Sequence, residues 1–142
     1  MENGVGQMKI KESCAVGLFA FLGGISRYLI GLGFNASGGF PYGTLAVNLI
    51  GAFCLPFLMR YVIVHYHLND QLALAIGTGF FGAFTTFSSF SVDALRLLQN
   101  HQLAAFGWYL GISLIGGVAC SLLADYWAVK LLAKHGEVQV VK

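Results

Sequence analysis

Charge is what this 142-residue chain has least of: Asp, Glu, Lys and Arg make up 10% of it, against about 25% in an ordinary soluble domain. The 8 basic and 6 acidic residues also avoid the middle, since most lie in residues 1–12 or 130–142. A solvated surface around a core cannot be built from such a composition. Proline is scarce, at 2 residues, so little interrupts long helices. The 3 cysteines, Cys14, Cys54 and Cys120, stand singly in apolar stretches, which excludes a disulfide scaffold. The net charge of +2 is too small and too dispersed for a nucleic-acid partner. Catalytic constellations are missing as well. No Ser/His/Asp, Cys/His or paired-carboxylate set falls within one membrane leaflet, and no Lys-Ser/Thr follows Gly77–Gly82 to make a phosphate loop. The chain does not read as an enzyme.

What is abundant is apolar surface and glycine: 57% hydrophobic residues, a mean hydropathy of +0.74 and 19 glycines. Four apolar windows, 13–34, 43–64, 72–92 and 103–124, are each long enough to span the roughly 30 Å hydrocarbon core at about 1.5 Å per residue. The expected fold is an all-α, multi-pass membrane protein, one domain of four transmembrane helices at about 13–34, 43–64, 72–97 and 103–131, with short polar termini. The first window is longer than a signal peptide, contains Arg27 and shows no small-residue cleavage pattern. Tyr28, Phe34, Tyr42, Tyr61, Tyr66, Trp108, Tyr126 and Trp127 fall at window ends, as an interfacial aromatic belt does. The short connections make the four helices neighbours in an up-and-down arrangement. Lys9, Lys11, Arg60, Lys130, Lys134 and Lys142 on one face, against Arg96 and Arg27 on the other, favour cytoplasmic termini.

Function has to be read from polar groups at membrane depth. Thr44, Asn48 and Gly51 share one face of the second helix. Asn48 offers two N–H donors to a desolvated anion, and it serves equally well as a bond to a neighbouring helix. Residues 77–91 hold six hydroxyls, five phenylalanines and three glycines in fifteen positions without a charge. Glycine weakens a helix by roughly 1 kcal/mol relative to alanine, and the hydroxyls can satisfy backbone groups freed by an interruption. A break is expected near Gly82–Thr86, where released carbonyls could hold a cation. A phenylalanine stripe ordinarily packs; interleaved with Thr and Ser it can also line a path, with positive ring edges turned to an anion. Tyr109 and Ser113 add two hydroxyls at one height of the fourth helix. Gly107-x-x-x-Gly111 and Gly116-Gly117 beside them read as close helix contacts. Arg27 reads either as a snorkelling residue or as an anion-attracting vestibule group. Asp93, Arg96 and Asp125 fall at window ends and read as interfacial or capping groups. His65, His67 and Asp70 make a sparse metal spacing that reads better as a solvated loop.

Together, Gly23-Gly24-Ile25-Ser26-Arg27-Tyr28, Gly43-Thr44-Leu45-x-Val47-Asn48-x-x-Gly51 and Gly79-Phe80-x-Gly82-x-x-Thr85-Thr86-Phe87-Ser88-Ser89-Phe90-Ser91 resemble the Fluc (CrcB) fluoride channels, in order from about residue 17 to 125. The resemblance implies an antiparallel, dual-topology dimer with two fluoride pores in a bacterial plasma (inner) membrane. It assigns Asn48, Phe87, Phe90, Thr86, Ser88, Tyr109, Ser113 and Thr44 to the fluoride path, and Arg27 to the vestibule. It also implies a structural sodium ion at the dimer interface, held by backbone carbonyls at Gly82 and Thr85. Asp93 stands where many members carry glutamate. A homodimer is expected, with a heterodimer of two paralogues as the alternative that a lopsided Lys/Arg count suggests. The activity implied is passive, fluoride-selective export that lowers cytoplasmic fluoride. Two other readings stand beside it. One is a small proton-coupled multidrug exporter, which needs a membrane-embedded carboxylate that the four windows lack; the other is a non-transporting assembly subunit.

Overall fold

A computed structural model of the chain describes residues 2–34 and 39–136, with side chains from residue 10 onward except residue 11. Of the residues in the orientation count, Lys142 and the side chains of Lys9 and Lys11 lie outside this description. The fold is all-helical, and no strand occurs among the described residues. Four helices are long and apolar enough to cross a membrane: α1 (Glu2–Phe34), α2 (Tyr42–His65), α3 (Asp70–Gln99) and α4 (Leu103–Lys134). Each runs beyond its apolar window. In α1 the helix begins at Glu2, well ahead of residue 13, and runs through Gly4 and Gly6 although glycine weakens a helix. The start of α3 is fixed by Asn69, whose side-chain oxygen accepts the Leu72 amide hydrogen at 2.8 Å, an N-cap of the usual kind.

Two helices are wound irregularly. Pro56 brings no amide hydrogen to α2, and the π-wound stretch Leu58–Val62 follows it. Another π stretch, Ala75–Phe81, carries Gly77 and Gly79. After Phe84 the α3 backbone opens: Thr85 (φ −80°, ψ 158°) and Thr86 (φ −151°, ψ 120°) are extended, and helix resumes over Phe87–Gln99.

The most extensive packing joins α1 to the first half of α3 and α2 to α4; the second half of α3 leans on α4. Neighbouring helices are thus second-next as well as consecutive in sequence. Glycine makes the α1–α3 crossing. A Cβ on Gly79 would lie 2.6 Å from the Val16 carbonyl oxygen, and one on Gly23 would run into the Phe80 carbonyl. Close contact was also expected along α4, and there the structure differs. Gly107, Gly111 and Gly117 face open space, and only Gly116 of that set meets a neighbour, Leu49 Cδ2 at 3.1 Å from its would-be Cβ. Gly117 lines a cavity together with Asn48 and Thr85, and the tight crossings are made by glycines of α1 and α3 instead.

Two small cores result. Val47, Phe81 and Phe84 form one, beside the extended pair. Ala94, Leu97 and Tyr109 form the other, joining α4 to the second half of α3. The outward faces are apolar, and Tyr28, Phe34, Tyr42, Tyr66, Trp108, Tyr126 and Trp127 are all exposed, as side chains in contact with lipid would be. Near one end, Arg60 Nε of α2 lies 3.4 Å from Asp125 Oδ1 of α4, so Asp125, read as a window-end group, is half of an interhelical ion pair.

Gly79→Leu forces a side chain onto helix backbone, and overpacking of that kind costs about 1–3 kcal/mol or more. Size-exclusion chromatography in detergent should show loss of the monodisperse peak for this variant. Gly24→Ala, which meets nothing within 4 Å, should keep it.

Candidate functional site

The extended pair in α3 is held by α2. Asn48 Oδ1 accepts the Thr86 amide hydrogen at 2.8 Å, and Asn48 Nδ2 donates to the Thr86 carbonyl at 3.0 Å. One carboxamide thus satisfies both backbone groups of a residue that has left the helix, at a depth where water cannot do so. Gly51, one turn further along α2, makes room for the fit: a Cβ there would strike the Thr85 methyl group. Thr85 anchors itself to the preceding turn, its hydroxyl donating to the Phe81 carbonyl at 2.8 Å. Thr86 caps the following one, its hydroxyl oxygen accepting the Ser89 amide hydrogen at 3.1 Å. The positive end of the Phe87–Gln99 helix therefore starts at this point inside the protein.

These bonds free particular carbonyls. In an unbroken helix the Thr86 amide would bond the Gly82 carbonyl and the Ser89 amide the Thr85 carbonyl; the first is taken by Asn48 and the second by the Thr86 hydroxyl. Gly82 is exposed, with nothing within 4 Å of its would-be Cβ. No group of three or more His, Cys, Asp or Glu stands anywhere among the described residues, so a cation here would meet neutral oxygen. A hard ion such as sodium fits that donor set.

Cavities lie on either side of the pair. One of about 470 Å³ is lined by Asn48, Thr86, Phe87, Phe90 and Ser113, among others. Another of about 360 Å³ has Arg27, Thr44, Val47, Thr86 and Ser89 in its wall. A third, of about 350 Å³, is bounded by Thr44, Ser88, Asp93 and Arg96. The fold thus gathers the residues singled out in sequence into two groups that share Thr86. Tyr109 is fully buried, with Phe90 at 5.1 Å and the edge of Phe40 at 5.7 Å between ring centroids. Phe87 and Phe90 stand 5.9 Å apart. Phe87 is nevertheless 81% exposed, so little else in the chain covers it. Phe80, Phe81 and Phe84 pack on one another, as a phenylalanine stripe ordinarily does.

A hydroxyl has one proton to donate, and most of those near the pair are engaged. Thr44 donates to Asp93 Oδ2 at 2.6 Å, Thr85 to Phe81, Thr86 to Ser89 Oγ at 3.1 Å, and Ser91 to the Phe87 carbonyl at 3.0 Å. By contrast, the buried Ser113 hydroxyl has no hydrogen-bond partner, and the buried Tyr109 hydroxyl, beside Thr44 and Asp93, makes no hydrogen bond of good geometry. Asn48 keeps its second N–H, since one suffices for Thr86. The available donors are therefore neutral and few.

Asp93 was read as an interfacial or capping group, and the structure corrects this. It lies mid-helix and half-buried, bonded to Thr44 of α2 and 3.7 Å from Arg96 Nη1. Helical phase turns it inward, although it stands just past an apolar window. Phe40 carried no signal in sequence, since it precedes the second window; its role against Tyr109 comes from the chain folding back ahead of α2. Arg27 lines the same cavity as Thr44 and Ser89.

Comparison with known proteins shows which family the chain falls in. The profile of the family described as CrcB-like protein, Camphor Resistance (CrcB), matches residues 14–124. The chain is 73% identical over 133 residues to the fluoride-specific ion channel FluC 1 of Latilactobacillus sakei subsp. sakei (strain 23K), covering 94% of this chain and 98% of that protein. It is 44% identical over 119 residues to FluC 2 of Listeria innocua serovar 6a, covering 84% and 92%. With FluC 2 of Streptococcus pneumoniae (strain ATCC BAA-255 / R6) the identity is 42% over 113 residues, covering 78% and 91%.

Asn48→Ala would strand the Thr86 N–H and C=O together. Each buried group left without a partner costs roughly 1–3 kcal/mol, so thermal unfolding in detergent should show a large loss of stability. Asn48→Asp, which keeps the acceptor but removes the donor, should fall between alanine and the parent chain.

Proposed function

The chain belongs to the CrcB family, and from that membership we propose that it is a passive, fluoride-selective channel of a bacterial plasma membrane, working as an antiparallel homodimer. The observation that carries the site reading is the set of unengaged neutral donors, Tyr109, Ser113 and the second Asn48 N–H, around the extended Thr85–Thr86 pair. Fluoride is small and tightly hydrated, so a pore must replace water with donors that do not hold the ion too strongly. Neutral hydroxyls, one amide and positive phenyl edges meet that need, whereas a fixed ammonium or guanidinium in the narrow part would trap the anion.

Within this reading Arg27 draws fluoride toward the vestibule it shares with Thr44. Thr86, Ser88 and Thr44 form the polar flank, and Phe87 and Phe90 offer ring edges. Export needs no coupling: fluoride entering as HF dissociates inside, and an inside-negative potential drives the anion out by about 2.3 kcal/mol per 100 mV. The exposure of Phe87 and Gly82 supports a second subunit placed against this face. A structural sodium ion between the subunits would be held by the Gly82 and Thr85 carbonyls and would supply fixed positive charge that ties the two breaks together. In this chain the Thr44 proton is engaged by Asp93, so Thr44 presents lone pairs and positions its neighbours without donating.

Reconstituted in liposomes loaded with potassium fluoride, the protein should release fluoride to an electrode once valinomycin collapses the potential. Chloride loaded in the same way should stay inside. Phe87→Ile and Phe90→Ile should each slow release by roughly tenfold or more, the effect of about 1.4 kcal/mol on the barrier, with the chromatographic profile unchanged. Equal chloride release would overturn the selectivity, and unaltered rates in both variants would remove the phenylalanines from the path.

A further inference from the structure

Away from the proposed pore, the end of α2 carries a ladder of rings: Phe57 and Tyr61 at 5.3 Å, Tyr61 and His65 at 5.3 Å with planes 8° apart, and Tyr66 edge-on to His65 at 4.8 Å. His65 lies in the last turn of the helix, not in a solvated loop with His67 and Asp70. Its imidazole faces another one. His135, the residue that ends α4, brings its ring to 4.8 Å from His65 with planes 46° apart. Both backbones are fixed, His65 within helix and His135 by amide hydrogen bonds to the Leu131 and Leu132 carbonyls at 3.2 Å. His135 is exposed and His65 half-buried, so the pair is open to solutes.

We propose that His65 and His135 form a chelating site for a divalent transition-metal ion such as Zn²⁺, Ni²⁺ or Cu²⁺. An ion held at about 2.0–2.1 Å by one nitrogen of each of two imidazoles places their ring centroids roughly 5 Å apart, which is the spacing found. The second nitrogen of each ring is left to its own hydrogen bond, as in metal-ligating histidines generally. Among the described residues no group of three or more His, Cys, Asp or Glu forms around the pair, so two imidazoles are the protein ligands proposed and the affinity is modest. Imidazole selects Cu²⁺, Ni²⁺ and Zn²⁺ over Mg²⁺ and Ca²⁺, with Cu²⁺ bound most tightly. Bound there, the ion ties the last turn of α2 to the end of α4, where the Arg60–Asp125 pair already joins the two helices.

The test uses the full-length, untagged chain in detergent. Ni²⁺ or Zn²⁺ at a hundredfold excess over its Kd should raise Tm by roughly 5–10 °C, and Mg²⁺ should not. His65→Gln and His135→Gln should each abolish the rise, while His67→Gln should retain it. Cu²⁺ bound to the parent chain should show two imidazole nitrogens by electron paramagnetic resonance, a readout that stands even where a variant folds poorly. No rise with any of the three ions, the same rise in both single variants, or a spectrum with fewer than two nitrogens would overturn the site.

Discussion

A carboxamide on one helix bonded to both backbone groups of a residue on another is the contact on which the rest of this structure depends. The chain leaves helical geometry at Thr85 and Thr86 in a region where lipid offers no hydrogen bonds, and Asn48 supplies both of the missing partners. The position of the α3 interruption therefore follows from the position of Asn48, and so do the freed carbonyls of Gly82 and Thr85 and the second helical start at Phe87. Gly51 and Thr85 add shape to this chemistry, since the threonine methyl fills the space that a side chain at 51 would need. In sequence Asn48 read either as an anion donor or as a bond between helices. It is glue between helices and also a group with one N–H to spare.

The four spans, their aromatic ends and the unusual stretch 77–91 were legible in the sequence because each is a matter of composition over many residues. Hydropathy needs only counting, and the glycine and hydroxyl density of 77–91 stands out against any background. Pairwise relations were not legible in the same way. Asp93 stands just past an apolar window and reads as interfacial, yet one turn of helical phase turns it toward Thr44. The α4 glycines look like a packing motif, yet only Gly116 of them meets a neighbour, whereas Gly79 and Gly23, which look like parts of other motifs, make the backbone contact. His65 and His135 are seventy residues apart, and no spacing rule joins them. Which face a helix turns to its neighbours depends on the neighbours, and that is information a single chain pattern does not contain.

Hydroxyl counts alone overstate how many donors an anion would find here. Of the threonines and serines in 77–91, those whose bonds are defined turn their protons to carbonyls or to one another, because an interruption in lipid must satisfy its own backbone first. Structural and functional demands thus compete for the same small groups. The division falls by helix: α3 hydroxyls mostly hold the break together, while Tyr109 and Ser113 on α4, whose backbone is regular, are left with unengaged protons.

The Asn48–Thr86 bond also has a direction in time. Synthesis runs from the N-terminus, so α2 is delivered to the bilayer before α3, and the side chain that will receive Thr86 is in place when the interrupted helix arrives. Were the order reversed, an open stretch of peptide would have to wait in hydrocarbon for its partner. As built, the chain carries its own template for inserting a segment that the membrane would otherwise reject.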